Sequence, residues 1–357
     1  MRTFATKWID ERLHVQALIA FLRHKTVPIH SHSLWYYFGG IALAFYGIQV
    51  FTGILLLLYY RPTVDGAFES VQMIMTRVPF GWIIRSVHSW GANLMVLAAF
   101  IHMFSVYFMR GYRRPRELTW LSGFFLFALA MGFGFSGYLL PWNQLAFFAT
   151  KVGTDIVGVL PWIGTPILEF LRGGEDVTGA TLTRFFGIHV ALLPMIATLV
   201  LIAHFALVQV HGMSEPLPQE GKKIAERHMP FYPHFMLREA VVWLGVLAIL
   251  IALATFSPWE LGVKADPFSP APAGIRPEWY FTFLSQSLKY FPGLIFGFEG
   301  ERVGILAIGL GAGLFALVPF LDRSAPRGRR SRIVTAAGIL VIAYMVVMIA
   351  LAYLKPY

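Results

Sequence analysis

The stretches "HSWGANLMVLAAFIH" at residues 88–102 and "HVALLPMIATLVLIAH" at residues 189–204 decide the fold class of this chain. Each stretch is apolar, contains no Asp, Glu, Lys or Arg, and begins and ends with histidine. A histidine inside an apolar helix is costly and often marks a functional site. The near-equal spacing in two separate segments therefore indicates that the four histidines act together.

The composition of the whole chain indicates a membrane protein. Of its 357 residues, 57% are hydrophobic and only 13% are charged, which is too little charge to cover the surface of a soluble domain. The chain contains no cysteine, which excludes disulfides, cysteine-ligated iron–sulfur clusters and thioether-attached haem within it. The net charge of +10 is interpreted as basic loops that orient membrane helices, and not as nucleic-acid binding.

Long apolar segments predict an all-α integral membrane protein. A spanning helix needs about 20 predominantly apolar residues. Seven segments of this kind, all without Asp, Glu, Lys or Arg, lie at residues 35–60, 86–109, 118–140, 185–210, 240–258, 303–321 and 333–354. Residues 153–172 and 265–296 are too polar to span, and we expect them to fold back at one membrane face.

The chain is predicted to have three parts. Residues 1–34 mix charges with large apolar side chains, which is typical of an amphipathic helix on the membrane surface. Residues 35–212 are predicted to form a four-helix N-terminal domain that holds the four histidines. Residues 213–357 are predicted to form a three-helix C-terminal domain, which begins with the loop that contains "KKIAERHMPFYPHF".

The distribution of Lys and Arg predicts the orientation. With seven crossings and the N-terminus in the cytoplasm, 18 Lys and Arg residues lie on the cytoplasmic side and 11 outside. The densest clusters, "RGYRRPRE" and "RSAPRGRRSR", both fall inside. The excess of basic residues in cytoplasmic loops favours this topology.

The same topology places the histidines at two depths. The second and fourth segments run in the same direction, so His88 and His189 are expected near the outer face and His102 and His204 nearer the cytoplasm. Fourteen helical residues rise about 21 Å and return to nearly the same face. Each pair would then hold the iron of one haem through two axial nitrogens. A lone histidine could instead be structural or relay protons, whereas a zinc site needs ligands that converge on one point.

Glycines and arginines near the histidines extend this prediction. The first segment has two glycines 14 residues apart, and so does the third; they are Gly39, Gly53, Gly123 and Gly137. Their missing side chains would leave room for a flat macrocycle. The alternative is that they serve close helix packing. Arginines near the ends of the second and fourth segments are candidate partners for haem propionates; they are Arg85, Arg184, Arg110, Arg113 and Arg114. Their alternative role is to anchor the helices in the membrane.

These features resemble the cytochrome b subunit of the cytochrome bc/bf family of quinol oxidoreductases over nearly the whole chain. The resemblance rests on the histidines and glycines and on "GYLLPWNQ" at 137–144, "TLTRFFGIH" at 181–189 and "PEWY" at 277–280. The 15-residue histidine spacing and "YYRPTVDGAFESVQMIMTRVPFGWIIRSVH" at 59–88 resemble the chloroplast-type bf branch, where the two halves are separate proteins. Here they are fused, as in a bacterial intermediate form. That branch has a cysteine for an additional covalent haem where this chain has Tyr37, so only two non-covalent b-type haems are implied.

The resemblance implies the catalytic membrane subunit of a quinol:cytochrome c reductase, or of one with a plastocyanin-like acceptor. Quinol would be oxidised near the outer face, with one electron passing to a Rieske iron–sulfur protein and the other crossing two haems to a quinone near the cytoplasm. Two protons would be released outside and two taken up inside. The implied partners are the Rieske protein, a cytochrome c-type subunit, quinone, membrane lipids and a second copy of the complex, in a bacterial inner membrane.

Two quinone sites are implied as well. The outer site would be lined by Tyr138, residues 161–170 and the motif Pro277, Glu278, Trp279 and Tyr280. Glu278 would accept a proton from quinol, and its alternative role is that of a surface loop carboxylate. The inner-site candidates are Arg238, Glu239, His211 and Gln209, of which the first two occupy the place of a Lys–Asp pair in the bc branch.

Two other function classes fit part of the pattern. A dihaem membrane anchor of a dehydrogenase or hydrogenase would show the histidines but need not contain "PEWY" or the last three segments. A proton or solute transporter with histidine relays would be colourless. A reduced-minus-oxidised spectrum and a quinol:cytochrome c reductase assay distinguish these classes.

Overall fold

The predicted all-α membrane architecture is confirmed. The structure is a computed structural model that describes residues 4–215, 217, 227–272, 274–324 and 331–354. These residues are mostly helical, and the strands among them form two short antiparallel pairs. The first pair joins β1 (Thr26–Ile29) to β2 (Arg227–Pro230), and the second joins β3 (Leu294–Ile295) to β4 (Phe298–Glu299).

Six of the predicted spans are helices long and apolar enough to cross a membrane, counted over the described residues. They contain α3 (Tyr37–Leu57), α5 (Gly81–Phe108), α6 (Glu117–Tyr138), α9 (Gly179–Gly187) with α10 (Leu193–His211), α11 (Met236–Phe256) and α15 (Arg332–Leu354). Large apolar side chains on their outer faces are exposed, as lipid contact requires.

The segment at 303–321 is shorter in the structure than predicted. It forms α13 (Gly300–Ala316), a helix of 17 residues, followed by α14 (Val318–Leu321). Pro319 lies at the start of α14, where proline's missing N–H and fixed φ favour a new helix over continuation of the old one. Seven crossings therefore stay a prediction.

The N-terminal amphipathic segment consists of two helices, not the one that was predicted. The helices α1 (Phe4–Leu13) and α2 (Val15–His24) meet at His14, whose φ of 47° is left-handed. That conformation is costly for a residue with a side chain and breaks a right-handed helix. Strand β1 then pairs with β2, so the N-terminal segment contacts the loop that precedes α11.

Four helices form the bundle that carries the histidines. Helix α3 packs along α5, α5 packs against α6, and α6 packs against α10. On the other side α11 packs against α5 and α3, and α15 contacts α5. The bundle is therefore enclosed partly by helices of the C-terminal half.

Short helices occupy the stretches that were predicted not to span. The first stretch contains the end of α7 (Gln144–Gly158) and α8 (Gly164–Arg172), which pack on each other. The second contains α12 (Trp279–Leu288), which packs against α15. Another short helix, α4 (Ala67–Thr76), packs against α5.

Candidate functional site

Each predicted glycine faces one of the four histidines. A Cβ atom added to Gly137 would lie 2.6 Å from His189 Cε1, and one added to Gly39 would lie 3.0 Å from His102 Cε1. The corresponding distances are 3.4 Å between Gly53 and His88 and 3.1 Å between Gly123 and His204. The near-equal spacing of the glycines and the histidines thus has a direct structural cause.

Hydroxyl groups beside three of these glycines hold the histidine rings. Thr52 Oγ1 lies 2.9 Å from His88 Nδ1. Two serines make the same contact, at 3.0 Å between Ser136 Oγ and His189 Nδ1 and at 2.9 Å between Ser122 Oγ and His204 Nδ1. Each hydroxyl residue directly precedes a glycine in the chain. Sequence reasoning missed this role, although the recurring Thr-Gly or Ser-Gly pair was a usable signal.

His102 is the exception in this arrangement. The residue before Gly39 is Phe38, which has no hydroxyl, and His102 Nδ1 is buried without a hydrogen-bond partner among the described residues. Where a hydroxyl engages Nδ1, the other ring nitrogen, Nε2, is left for a metal. Three histidines therefore have one nitrogen fixed by the protein and one available.

His88 and His189, the pair predicted for the outer face and called the outer pair below, have the separation that one shared metal atom requires. The ring centroids of His88 and His189 lie 6.4 Å apart, and the ring planes are inclined by 74°. A metal–imidazole bond is about 2 Å long, so two rings on opposite sides of one metal place their centroids about 6 Å apart. Within the described residues, no group of three or more His, Cys, Asp or Glu converges on one point. The pair therefore suits a metal that arrives with its own in-plane ligands, as haem iron does.

The two histidine pairs line two separate cavities. The cavity of the outer pair, called the outer cavity after the predicted orientation, has a volume of about 390 Å³ and is lined by His88, His189, Gly53 and Gly137. The inner cavity, of about 310 Å³, is lined by the other two histidines and the other two glycines. Four residues line both cavities and so separate them: Tyr46, Met95, Ala130 and Phe133.

A π-helical turn accounts for the unequal histidine spacing. Residues Ile188–Leu192, which include His189, form one π turn between α9 and α10. A π turn inserts one extra residue into an α-helix, and such turns are frequent at functional sites. The 15-residue spacing from His189 to His204 is thereby equivalent to the 14 residues that separate His88 and His102 in α5.

The arginines differ in their access to the cavities. Arg85 lines the outer cavity, but its guanidinium donates to the carbonyls of Trp259 and Glu260. Arg184 is exposed beside Gly173 and is not among the residues that line either cavity.

The arginines that follow α5 show a similar division. Arg110 is buried with Asp322, Arg113 donates to the Glu215 carbonyl, and Arg114 is exposed and pairs with Glu117. Arg116, which sequence reasoning did not single out, lines the inner cavity and donates to the His211 carbonyl at 2.7 Å.

Three residues predicted for the outer quinol site line the outer cavity. They are Tyr138, Glu278 and Tyr280. Burial raises the pKa of the Glu278 carboxyl group. Glu278 is the N-cap of α12, and its side chain makes no capping hydrogen bond.

The other residues predicted there lie elsewhere. Trp279 donates from Nε1 to Asn93 Oδ1 at 2.9 Å, and the Pro277 carbonyl accepts from Thr282 Oγ1 at 3.1 Å. Residues 161–170 are not among those that line the outer cavity, and Trp162 is 97% exposed. The structure does not bring this segment to the described cavity, because α8 packs on α7 instead, and its role at a quinol site stays a prediction.

The inner-site candidates are spread over two elements. Glu239 lies against Gly40, which lines the inner cavity, and accepts from Trp243 Nε1 at 3.0 Å. Its neighbour Arg238 is exposed. At the end of α10, the His211 carbonyl accepts from Arg116 and the Gln209 carbonyl accepts from Lys25 Nζ. No hydrogen bond or ion pair among the described residues joins the two groups.

Comparison with known proteins gives concordant matches. Residues 23–212 match the family model described as Cytochrome b/b6/petB, and residues 264–356 match the one described as Cytochrome b(C-terminal)/b6/petD. The cytochrome bc complex cytochrome b subunit of Chlorobaculum thiosulfatiphilum is 50% identical over 342 residues, which cover 95% of this chain and 78% of that protein. A solved structure described as a hyperthermophilic respiratory Complex III superposes with a TM-score of 0.80 at 30% identity, covering 97% of each chain.

Proposed function

Because the chain belongs to the cytochrome b family and is the catalytic membrane subunit of a cytochrome bc complex, a quinol oxidoreductase, we propose that it oxidises quinol at the outer cavity and reduces quinone near the inner one. The observation that carries this proposal is the pair of cavities. Each is lined by two histidines, and only the outer one is also lined by Glu278 of the "PEWY" motif.

The histidines would hold two non-covalent b-type haems. His88 and His189 would hold the outer one, and His102 and His204 the inner one. The glycine faces, the 6.4 Å ring separation and the hydroxyl contacts to Nδ1 support this assignment. When bound, the haems supply a one-electron path across the membrane.

The residues shared by the two cavities would determine how closely the haems approach. Tyr46, Met95, Ala130 and Phe133 come from three different helices, α3, α5 and α6. Three of them are apolar and would exclude water between the sites, whereas the Tyr46 hydroxyl lies 2.8 Å from Thr198 Oγ1. A dry partition of this kind favours transfer of electrons over leakage of protons.

Glu278 would act as the proton acceptor in quinol oxidation. Each quinol yields two electrons and two protons: one electron passes to a Rieske protein and the other to the inner site, while both protons leave on the outer side. A base works best when its pKa lies near the operating pH, and burial raises the pKa of Glu278 toward that range. The phenols of Tyr138 and Tyr280 line the same cavity and would orient the quinol ring.

The inner quinone site would draw on Glu239, Arg238, His211 and Gln209. The position of Glu239 beside Gly40 supports its inclusion, because Gly40 lines the inner cavity. Reduction of one quinone there would consume two protons from the cytoplasm and two electrons, one from each of two quinol oxidations at the outer cavity. Together with release outside, this uptake would couple electron transfer to proton translocation.

The chain would work within a larger assembly. The described relatives are a cytochrome bc complex subunit and a respiratory Complex III. This supports a Rieske protein and a cytochrome c-type subunit as partners, in a homodimeric complex with bound membrane lipids. We further propose a bacterial inner membrane location with seven crossings and a cytoplasmic N-terminus.

Selective loss of one haem tests the proposal. His102→Ala removes a ligand from the inner pair alone, so the purified complex should keep one b signal and lose the other in a reduced-minus-oxidised spectrum. Quinol should still reduce the Rieske centre in a single turnover, while steady-state quinol:cytochrome c reduction falls. A variant that retained two bis-histidine b signals, or covalent haem staining of this chain after denaturing electrophoresis, would contradict the assignment.

A further inference from the structure

Asn93 links the helix of the outer histidine to the "PEWY" motif. It lies in α5, five residues after His88, and lines the outer cavity. Its Oδ1 accepts from Trp279 Nε1 at 2.9 Å, and its Nδ2 donates to the Ser89 carbonyl at 3.0 Å. Because both ends of the amide are engaged, its orientation is fixed, and the oxygen points at Trp279.

The main chain around Glu278 is also well defined. The Glu278 carbonyl accepts from the backbone N–H groups of Phe281 and Thr282 at 2.8 and 3.1 Å. Thr282, which is completely buried, donates its hydroxyl to the Pro277 carbonyl. These contacts make the turn and the first residues of α12 one rigid unit, but all of them lie within that unit. They do not set its position relative to α5.

The hydrogen bond between Trp279 and Asn93 supplies that positional link. Trp279 stands between Glu278 and Tyr280, and both neighbours line the outer cavity while the Trp279 indole contacts α5. The Trp279 ring also lies 6.2 Å from Phe100 of α5. A shift of the indole would therefore move Glu278 and Tyr280 relative to the cavity wall that contains His88.

We propose that Asn93 is a positioning residue for quinol oxidation, which acts through Trp279 to hold Glu278 at the working distance from the bound quinol. This inference rests on the proposed function of the outer cavity. A small misplacement of a catalytic group lowers the rate strongly, because proton transfer needs hydrogen-bond contact with the substrate. Asn93 itself is not assigned a chemical step.

The test uses the native complex with duroquinol as the reductant and cytochrome c as the acceptor. Asn93→Ala removes the acceptor, and Trp279→Phe removes the donor but keeps an aromatic ring. One neutral hydrogen bond corresponds to about a two- to tenfold change, so each variant should lower kcat by that factor. The double variant should lose no more than either single one, because both remove the same contact. The b-haem spectrum and Rieske content should be unchanged.

Trp90→Phe is the matched control. Trp90 lies in the same helix and donates from Nε1 to the Ser257 carbonyl at 2.8 Å, a bond of similar length that does not involve the "PEWY" turn. This variant should keep the wild-type kcat. An equal loss of kcat in Trp90→Phe would show that general loosening of α5 explains the effect, and would overturn the inference.

The Glu278→Gln background separates positioning from packing. With no base to position, adding Asn93→Ala or Trp279→Phe to Glu278→Gln should cause no further loss of kcat. A full two- to tenfold loss in that background, or wild-type kcat in both single variants, would overturn the role of Asn93. If Glu278→Gln alone has wild-type kcat, the proposed role of Glu278 fails instead. If the complex with Asn93→Ala does not assemble, Trp279→Phe alone provides the test.

Discussion

At the scale of single residues, three of the four histidine sites combine one small residue with one hydroxyl. Glycine provides the space, and the preceding Thr or Ser holds the ring that occupies it, as at Thr52 and Gly53 with His88. A hydrogen bond to Nδ1 fixes the orientation of the imidazole and leaves Nε2 free to bind a metal. His102 lacks such a hydroxyl, so its ring is held less firmly by the protein.

Gly137→Ala should disrupt the outer site selectively. The added Cβ would lie 2.6 Å from His189 Cε1, which is closer than carbon atoms approach without a shift. Overpacking of this kind costs about 1–3 kcal/mol. We expect loss of most of the outer b signal in spectra of the purified complex, with the inner signal retained.

Gly132→Ala is the control in the same helix. Its added Cβ would meet Leu193 at 3.7 Å, which is an ordinary contact. Both haem signals should therefore persist in this variant. Equal haem content in the Gly132 and Gly137 variants would show that Gly137 does not provide space for His189.

The pH dependence of quinol oxidation should report on Glu278. A general base works in its deprotonated form, and burial raises the pKa of this carboxyl. The rate should therefore fall as the pH drops through that raised pKa, with the acidic limb lying above the usual range of a glutamate. Glu278→Gln should slow quinol oxidation by about 100- to 10,000-fold and abolish this limb.

Haem and Rieske content provide the control for Glu278→Gln. Both should equal the wild-type content, and oxidation of the inner haem through the cytoplasmic site should change little. Wild-type turnover across the pH range at unchanged content would leave Glu278 with a structural role only.

At the scale of elements, the π turn brings two unequal helices into register. Helix α5 spaces its histidines by 14 residues, and the helix from α9 to α10 spaces them by 15. Without the π turn, the extra residue would rotate one histidine by about 100° away from its partner. One irregular turn at His189 therefore keeps both pairs opposed.

Single-residue deletions test this explanation. Removing Ala191 from the π turn should convert it to regular α-helix and shorten the spacing to that of α5, so both b haems should be retained. Removing Ala98 from α5 leaves no irregular turn to absorb the change and should rotate His102 relative to His88 by about 100°. We expect that variant to lose at least one b signal. The same haem content in both deletion variants would argue against the proposed role of the π turn.

At the scale of the whole molecule, buried polar contacts join the two halves of the chain. The Arg110 guanidinium lies 3.2 Å from the Asp322 carboxylate, and both side chains are 1% exposed. Tyr112 donates to the same carboxylate at 2.7 Å, and Arg110 also donates to Thr335 Oγ1. Breaking such a buried pair is costly because it leaves an uncompensated charge. The contacts therefore fix α14 and α15 against the end of α5.

Cysteine labelling tests the orientation of the whole chain, and a chain without cysteine is suited to it. Phe268→Cys places the probe in the loop before "PEWY", where the side chain is 97% exposed. Arg114→Cys places it in the "RGYRRPRE" cluster, where the side chain is 82% exposed. The excess of basic residues inside predicts that an impermeant maleimide labels only the first in cells with a permeabilised outer layer. Labelling of Arg114→Cys alone would reverse the orientation.

The sequence by itself determined the features that depend on composition and regular spacing. The apolar segments predicted the six helices that are long enough to cross a membrane, and the 14-residue period of the glycines predicted open space at two depths, because helix geometry is regular over short distances. The histidines together with motifs such as "PEWY" indicated the family. Only the tertiary structure decided the features that depend on how helices meet. The contact between Asn93 and Trp279 joins residues 186 positions apart, and no local pattern marks it. No local pattern indicates that Arg116 lines the inner cavity, or that residues 161–170 do not line the outer one. The π turn also required the structure, because a spacing of 15 residues is compatible with a regular helix that is merely rotated.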